Sequence, residues 1–229
     1  MKSVSSDQLT SMPVGSQQSP VNIDTSAVVD VKWSADHVSL GYRDVGAVHG
    51  KIDGHNFLVD HLPHLVASFG GRKYRLAKIH FHSRCEHHID GQAPASFELH
   101  LLHVLLSDKG KDLNDKLVVA VFFNQSTGKR VPRREGFRSL NDWFATARKS
   151  SKQAGAAHLA GDGAEVVVSN IADFLPQSLD VWYSYEGSLT SYPFTEDVTW
   201  VVVPTAEEVS QADVSELIAS HAKQPRRTH

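Results

Sequence analysis

Eight short stretches rich in β-branched, aliphatic and aromatic residues recur along the chain, and regular helices do not separate them. They are VVDVKW (28–33), VSLGY (38–42), NFLVD (56–60), YRLAKIHFH (74–82), FELHLLHVLL (97–106), KLVVAVFF (116–123), AEVVVS (164–169) and VTWVVV (198–203). Such side chains suit a pleated, half-buried strand. The connections carry DG, GG, DKGKD and STGK, which is turn chemistry. Parallel neighbours need a long crossover, usually a helix, and most of these stretches lack one. The pattern predicts a mainly β (α+β) single domain built on a large twisted, mostly antiparallel mixed central sheet with short peripheral helices. Two segments carry helical spacing: 137–149, capped by Ser139 or Asn141, and 210–222, capped by Ser210, with Val214, Leu217 and Ile218 on one face. Residues 1–19 are polar and aperiodic and read as a loosely held arm, with the domain running over 20–229.

A chain of 229 residues can build a sizeable core. Its net charge of −3 offers no general attraction to nucleic acid or to an anionic membrane surface. No apolar run approaches the roughly 20 residues of a membrane helix. The start shows no secretory leader, and a single cysteine excludes an intrachain disulfide. Both point to a cytoplasmic protein, with a secreted mature form as the alternative. That cysteine, Cys85, sits among histidines, yet a lone cysteine reads as a small buried hydrophobe before it reads as ligand or nucleophile.

Histidine is the one anomaly, at 14 residues. Alternate residues of a strand share a face. In AKIHFH, Lys78, His80 and His82 therefore point one way, and Ile79 and Phe81 point into the core. In FELHLLH, Glu98, His100 and Leu102 share a face. A single histidine on a strand is usually a satisfied polar group, and an HxH alone is weak evidence for a metal. HxH followed by ExH on a neighbouring strand is stronger. Three imidazoles would leave the fourth tetrahedral position of zinc open, the arrangement of a catalytic site, and one cysteine rules out a thiolate-rich structural site. Glu98 fits as the carboxylate to which a ligating histidine donates its other N–H.

The ordered blocks QSPVNI (18–23), DGHNF (53–57), YRLAKIHFH (74–82), CEHHIDG (85–91), ELHLLH (98–103), EGSLT (186–190) with Tyr192–Pro193 just after, and VTW (198–200) resemble the alpha-class carbonic anhydrases. The resemblance runs from residue 18 to 204. It implies a zinc lyase that hydrates carbon dioxide reversibly to bicarbonate and a proton, with hydrolysis of small activated esters on the side. It implies His80, His82 and His100 as zinc ligands and Glu98 as the acceptor for His100. Thr190 becomes the gatekeeper that accepts from the hydroxide made at the metal and donates to Glu86. His55 becomes the proton shuttle, Val118, Leu102, Leu189, Val198 and Trp200 the apolar substrate wall, and His87 and Tyr185 part of the supporting hydrogen-bond shell. The partners it implies are carbon dioxide and bicarbonate, with sulfonamides and anions as inhibitors, for a monomer or dimer without nucleic acid or membrane span. The competing reading is a binding module, which some members become after losing ligands. A zinc hydrolase on another fold would want an HExxH helix, which the chain lacks.

The chain departs from that family at several positions. Lys78 stands where a glutamine usually accepts the N–H of the first ligand, and an ammonium has no acceptor lone pair. Either Lys78 turns away, or burial depresses its pKa, or water takes the acceptor role. The expected consequence is weaker zinc retention. Ser83 replaces a tryptophan, Asp53 an asparagine beside the shuttle, and Leu58 a polar pocket residue. The arm lacks an aromatic cluster, the usual cysteine pair is missing, and the C-terminal segment is short, with His221 near an expected arginine.

Overall fold

The computed structural model describes residues 15–32, 34, 37–54, 56–127, 131, 133–154 and 163–221, with 151–154 described by backbone alone. In chain order the strands are β1 (Asn22–Ile23), β2 (Val38–Leu40), β3 (Val48–Asp53), β4 (Asn56–Val59), β5 (Val66–Phe69), β6 (Arg72–His82), β7 (His88–Ile89), β8 (Phe97–Leu106), β9 (Asp112–Ser126), β10 (Glu165–Val168), β11 (Tyr183–Gly187) and β12 (Val198–Ser210). Helix α1 (Glu135–Ala154) follows β9 and α2 (Gln211–His221) follows β12, with a short 3-10 turn at Ile171–Phe174. The main sheet runs β10-β3-β4-β6-β8-β9-β12-β11, and β5 pairs with both β6 and β2. Its neighbours are antiparallel except β9 and β12. β1 and β7 form a separate parallel pair. The chain is thus mostly β on a large mixed sheet. No helix among the described residues is long and apolar enough to cross a membrane.

Alternation on β6 decides which face does what. Ile79 and Phe81 are buried in the larger core, which α1, α2 and the 3-10 turn cover. Phe137 of α1 and Phe174 of the turn meet edge to face at 4.6 Å, and Phe174 reaches Phe81 at 5.9 Å. The opposite face carries Lys78, His80 and His82. Antiparallel register sets His80 opposite His100, His82 opposite Glu98 and Lys78 opposite Leu102. A second apolar cluster lies on that face, with Val118, Phe122, Val198 and Trp200 buried and Leu102 and Leu189 packed against them.

The structure corrects several sequence expectations. Residues 28–32 form no strand, and Val28, Val29 and Val31 are exposed. A β-branched run needs a partner strand and a face to bury, and this one has neither. Strand β3 shows regular in–out alternation, but Gly50 takes one inward position and hides it in the sequence. A Cβ at Gly50 would stand 2.2 Å from the Leu58 carbonyl. Helix α1 begins at Glu135, so Ser139 and Asn141 are interior. Gly136 N–H at its first turn donates instead to Asp173 Oδ2 at 2.7 Å. Asn141 Oδ1 accepts from Glu216 and Leu217 N–H and so docks α1 on α2. Ser210 is the last residue of β12, directly before α2. Residues 1–14 of the N-terminal arm lie outside the described residues. Ser19 is buried: its N–H donates to Ser188 Oγ and its Oγ accepts from Ser188 N–H.

His103 on β8 points into the core, not toward the other histidines, and is fully buried. Its Nδ1–H donates to the Leu117 carbonyl at 3.2 Å, and Tyr42 hydroxyl donates to its Nε2 at 2.7 Å. Burial lowers its pKa to about 4. The unfolded chain takes up this proton below about pH 6.5 and the folded chain does not until about pH 4. The stability that neutral His103 supplies is therefore complete above pH 6.5 and is lost as pH falls toward 4. His103→Gln keeps one donor and one acceptor but cannot titrate. Between pH 7 and 5, urea unfolding should show wild type losing about 2 kcal/mol more stability than this variant. Parallel losses in the two proteins would contradict the assignment.

Candidate metal centre

The inner faces of β6 and β8 bring three imidazoles together. His82 Nε2 lies 3.0 Å from His100 Nδ1. The rings of His80 and His82 stack at 4.4 Å, and those of His82 and His100 sit 4.3 Å apart. Each ring has one nitrogen committed to an oxygen. His80 Nδ1 is 2.7 Å from Asn56 Oδ1, His82 Nδ1 is 3.2 Å from Glu86 Oε1, and His100 Nε2 is 2.7 Å from Glu98 Oε1. Because those oxygens only accept, the committed nitrogens carry the protons, a tautomer assignment made from the partners. The nitrogens left over are His80 Nε2, His82 Nε2 and His100 Nδ1, all with bare lone pairs.

That arrangement fits a cation. In the tautomers that the acceptor oxygens favour, His82 Nε2 and His100 Nδ1 turn lone pairs toward each other at 3.0 Å. His80 Nε2 is buried with no hydrogen-bond partner among the described residues. Burial, then the neighbouring imidazoles, lower the pKa of His80, and burial brings His100 down to about 4, so both rings are neutral near pH 7. The structure also offers rival donor sets. Ligating atoms of His82, Glu86 and His100 lie within 4.8 Å of one another, as do those of His87, Glu98 and His100. His80 belongs to neither set. The second set is already saturated, because Glu98 accepts from both rings.

Glu98 is the hub of the surroundings and is fully buried. Its Oε2 accepts from Glu86 and His87 N–H at 2.7 and 3.0 Å, and its Oε1 from His87 Nδ1 and His100 Nε2 at 2.5 and 2.7 Å. Burial works against the charge, but His87 and His100 outweigh it and hold the carboxyl well below the usual range. His87 Nε2 lies 2.7 Å from the Tyr185 hydroxyl. Glu86 gives one oxygen to His82, and its Oε2 is buried without a partner among the described residues. The hydrogen bond expected from Thr190 to Glu86 is not formed.

A cleft opens beside the histidines, lined by Lys78, His80, His100, Leu102, Val118, Leu189, Thr190, Ser191 and Trp200. Four of the five expected wall residues line it. The fifth, Val198, is buried behind the wall against the same cluster. Lys78 lines the cleft and does not turn away, and its pKa is lowered by burial against the opposing pull of Asp53. Cys85 is half-buried, donates to the Ala95 carbonyl, and has its thiol pushed up to about 12 by burial, which makes it inert. His55, the expected shuttle, lies outside the described residues. Sequence reading missed Asn56 and Ser191. Asn56 is findable only through the β4–β6 register, which sets it opposite His80.

A family model described as eukaryotic-type carbonic anhydrase matches residues 6–228. A carbonic anhydrase of Nostoc sp. is 27% identical over 202 residues, covering 88% of this chain and 68% of that protein. The mitochondrial carbonic anhydrase 5A of Rattus norvegicus is 32% identical over 224 residues, covering 90% of this chain and 67% of that one. Among solved structures, the alpha-carbonic anhydrase of Thermovibrio ammonificans in complex with the inhibitor sulfanilamide aligns with a TM-score of 0.66 at 22% identity, over 92% of this chain and 81% of that one. From its ordered motifs to its sheet, this chain belongs to the eukaryotic-type, alpha-class carbonic anhydrase family.

Proposed function

We propose that this chain is a zinc-dependent lyase that hydrates carbon dioxide reversibly to bicarbonate and a proton. The observation that carries the reading is the set of three bare inner nitrogens, each on an imidazole whose other nitrogen is claimed by an oxygen. His80 Nε2, His82 Nε2 and His100 Nδ1 would hold the metal. Zinc on three histidines keeps a place for water and lowers its pKa to about 7, which supplies a nucleophile at neutral pH.

The rest is the work of the chain. Leu102, Val118, Leu189 and Trp200 give the cleft an apolar wall, which suits a substrate without charge or dipole. Thr190 lines the same cleft, and its hydroxyl can accept and donate at once. Glu86 Oε2, buried and unpartnered, is an acceptor for the proton that Thr190 would hand on. Glu98 fixes the His100 tautomer and raises its basicity as a ligand. His55 is proposed to relay the product proton to buffer, a task that suits an imidazole near its ordinary pKa. The same centre would hydrolyse small activated esters and take sulfonamides, as its structural neighbour takes sulfanilamide.

The test is stopped-flow carbon dioxide hydration with zinc quantified in the same sample. One zinc per chain and turnover that a chelator removes and zinc restores are expected. One zinc per chain without turnover would leave a binding module and sink the enzyme assignment.

A further inference from the structure

We propose that Asn56 is the positioning residue that aims His80 at the metal, taking over an acceptor role that Lys78 cannot fill. The inference rests on the zinc reading above and names the residue that reading leaves open.

A ligand imidazole needs its outer N–H held by an acceptor, which fixes both tautomer and ring direction. His82 has Glu86 and His100 has Glu98. The family's glutamine for the remaining ring is replaced here by Lys78, two residues before His80 on the same strand face, and an ammonium only donates. The acceptor comes from the neighbouring strand. Asn56 opens β4 directly opposite His80, and its Oδ1 meets His80 Nδ1 at 2.7 Å. The amide is itself held. Its Nδ2 donates to the Asp53 carbonyl at 3.0 Å, across the β3–β4 turn in which Gly54 takes a φ of 57°. Tying Nδ2 to the turn directs Oδ1 toward His80, an amide orientation assigned from its two partners. With Nδ1 engaged, His80 Nε2 is the bare nitrogen, buried and unpartnered. Position 78 is thereby released from supporting a ligand and puts its side chain on the cleft wall.

The two ends of the amide make the role separable from mere packing. Asn56→Asp keeps the acceptor and loses the bond to Asp53. Asn56→Ala loses both. Zinc transfer from the holoprotein to a chelator, followed with the protein folded, reads the difference. Asn56→Ala should lose zinc about 10- to 100-fold faster than wild type. Asn56→Asp should lose it no faster than wild type. Lys78→Gln alone should change little, and Asn56→Ala/Lys78→Gln should recover most of the retention, because a glutamine at 78 restores an acceptor. Equal zinc loss in Asn56→Asp and Asn56→Ala would overturn the inference and make Asn56 a turn residue. So would wild-type retention in Asn56→Ala, or a Lys78→Gln variant that holds zinc much longer than wild type. Should Asn56→Ala fail to fold, the Asn56→Asp result decides alone, since loss of the acceptor is then not involved and faster zinc loss contradicts the proposal. A wild-type chain that takes up no zinc would bring down the metal reading itself, an outcome distinct from all of these.

Discussion

Alanine in place of His80 is expected to remove zinc from the purified protein and to lower carbon dioxide hydration by about 10⁴-fold or more. Within the proposed ligand set, His80 is the member that discriminates between the alternatives. The rival set of His82, Glu86 and His100 has donor atoms within 4.8 Å of one another without it. If that set held the metal, His80→Ala would keep zinc and Glu86→Ala would lose it. Two physical arguments favour His80. Leaving it out strands His80 Nε2, a buried acceptor with no partner, at a cost of about 1–3 kcal/mol. Bringing Glu86 in removes the acceptor from His82 Nδ1 and puts a carboxylate on the metal, whose negative charge makes bound water less acidic. Three neutral imidazoles keep the full dication charge for that water. The experiment compares zinc content and hydration of His80→Ala and Glu86→Ala side by side. Stoichiometric zinc in the first and none in the second would move the ligand set to Glu86.

How far the sequence reached depends on the range of the interactions. Strands β6 and β8 were legible because alternation is local: a two-residue period puts His80 and His82 on one face of β6, and Glu98 and His100 on one face of β8, while the pairing of the two strands brings those faces together. The turn motifs and the absence of crossover helices were enough to predict a mostly antiparallel sheet. Residues 28–32 misled because β-branching states a preference that a partner strand must satisfy. Asn56 and the turn of Glu86 toward His82 were not legible, because both depend on which strand or loop lies across from which. An asparagine before a phenylalanine carries no sign that it will face a ligand. Lys78 showed only that an acceptor was missing, and register supplied it. The ordered motifs made the family readable, yet the contact of Asn56 Oδ1 with His80 Nδ1 lay outside them.

Alanine in place of Glu98 should be the most damaging single change to stability near the site. The carboxylate is the common acceptor of four N–H groups: Glu86 N, His87 N, His87 Nδ1 and His100 Nε2. Glu98 and His87 have no exposed surface and His100 is 4% exposed, so the His87 and His100 donors have no bulk water to turn to. Removing the charge therefore gains its desolvation cost back but strands four donors and opens a cavity between β8 and the loop at Glu86. Breaking such a buried network costs about 3–5 kcal/mol, a large share of the 5–15 kcal/mol that holds an ordinary domain together. Zinc retention should fall as well, by about 10- to 100-fold, because His100 loses the partner that keeps its proton on Nε2 and its lone pair on Nδ1. Glu98→Gln separates the two effects. It fills the space, but its amide NH₂ must face donors on one side, so it restores packing and only half of the acceptor capacity. Urea unfolding of the zinc-free proteins should rank wild type above Glu98→Gln above Glu98→Ala, while zinc transfer to a chelator should be fast in both variants. A Glu98→Ala protein within 1 kcal/mol of wild type that still holds zinc at the wild-type rate would show that the two histidines find other acceptors, and that the buried carboxylate does not set the tautomer of His100.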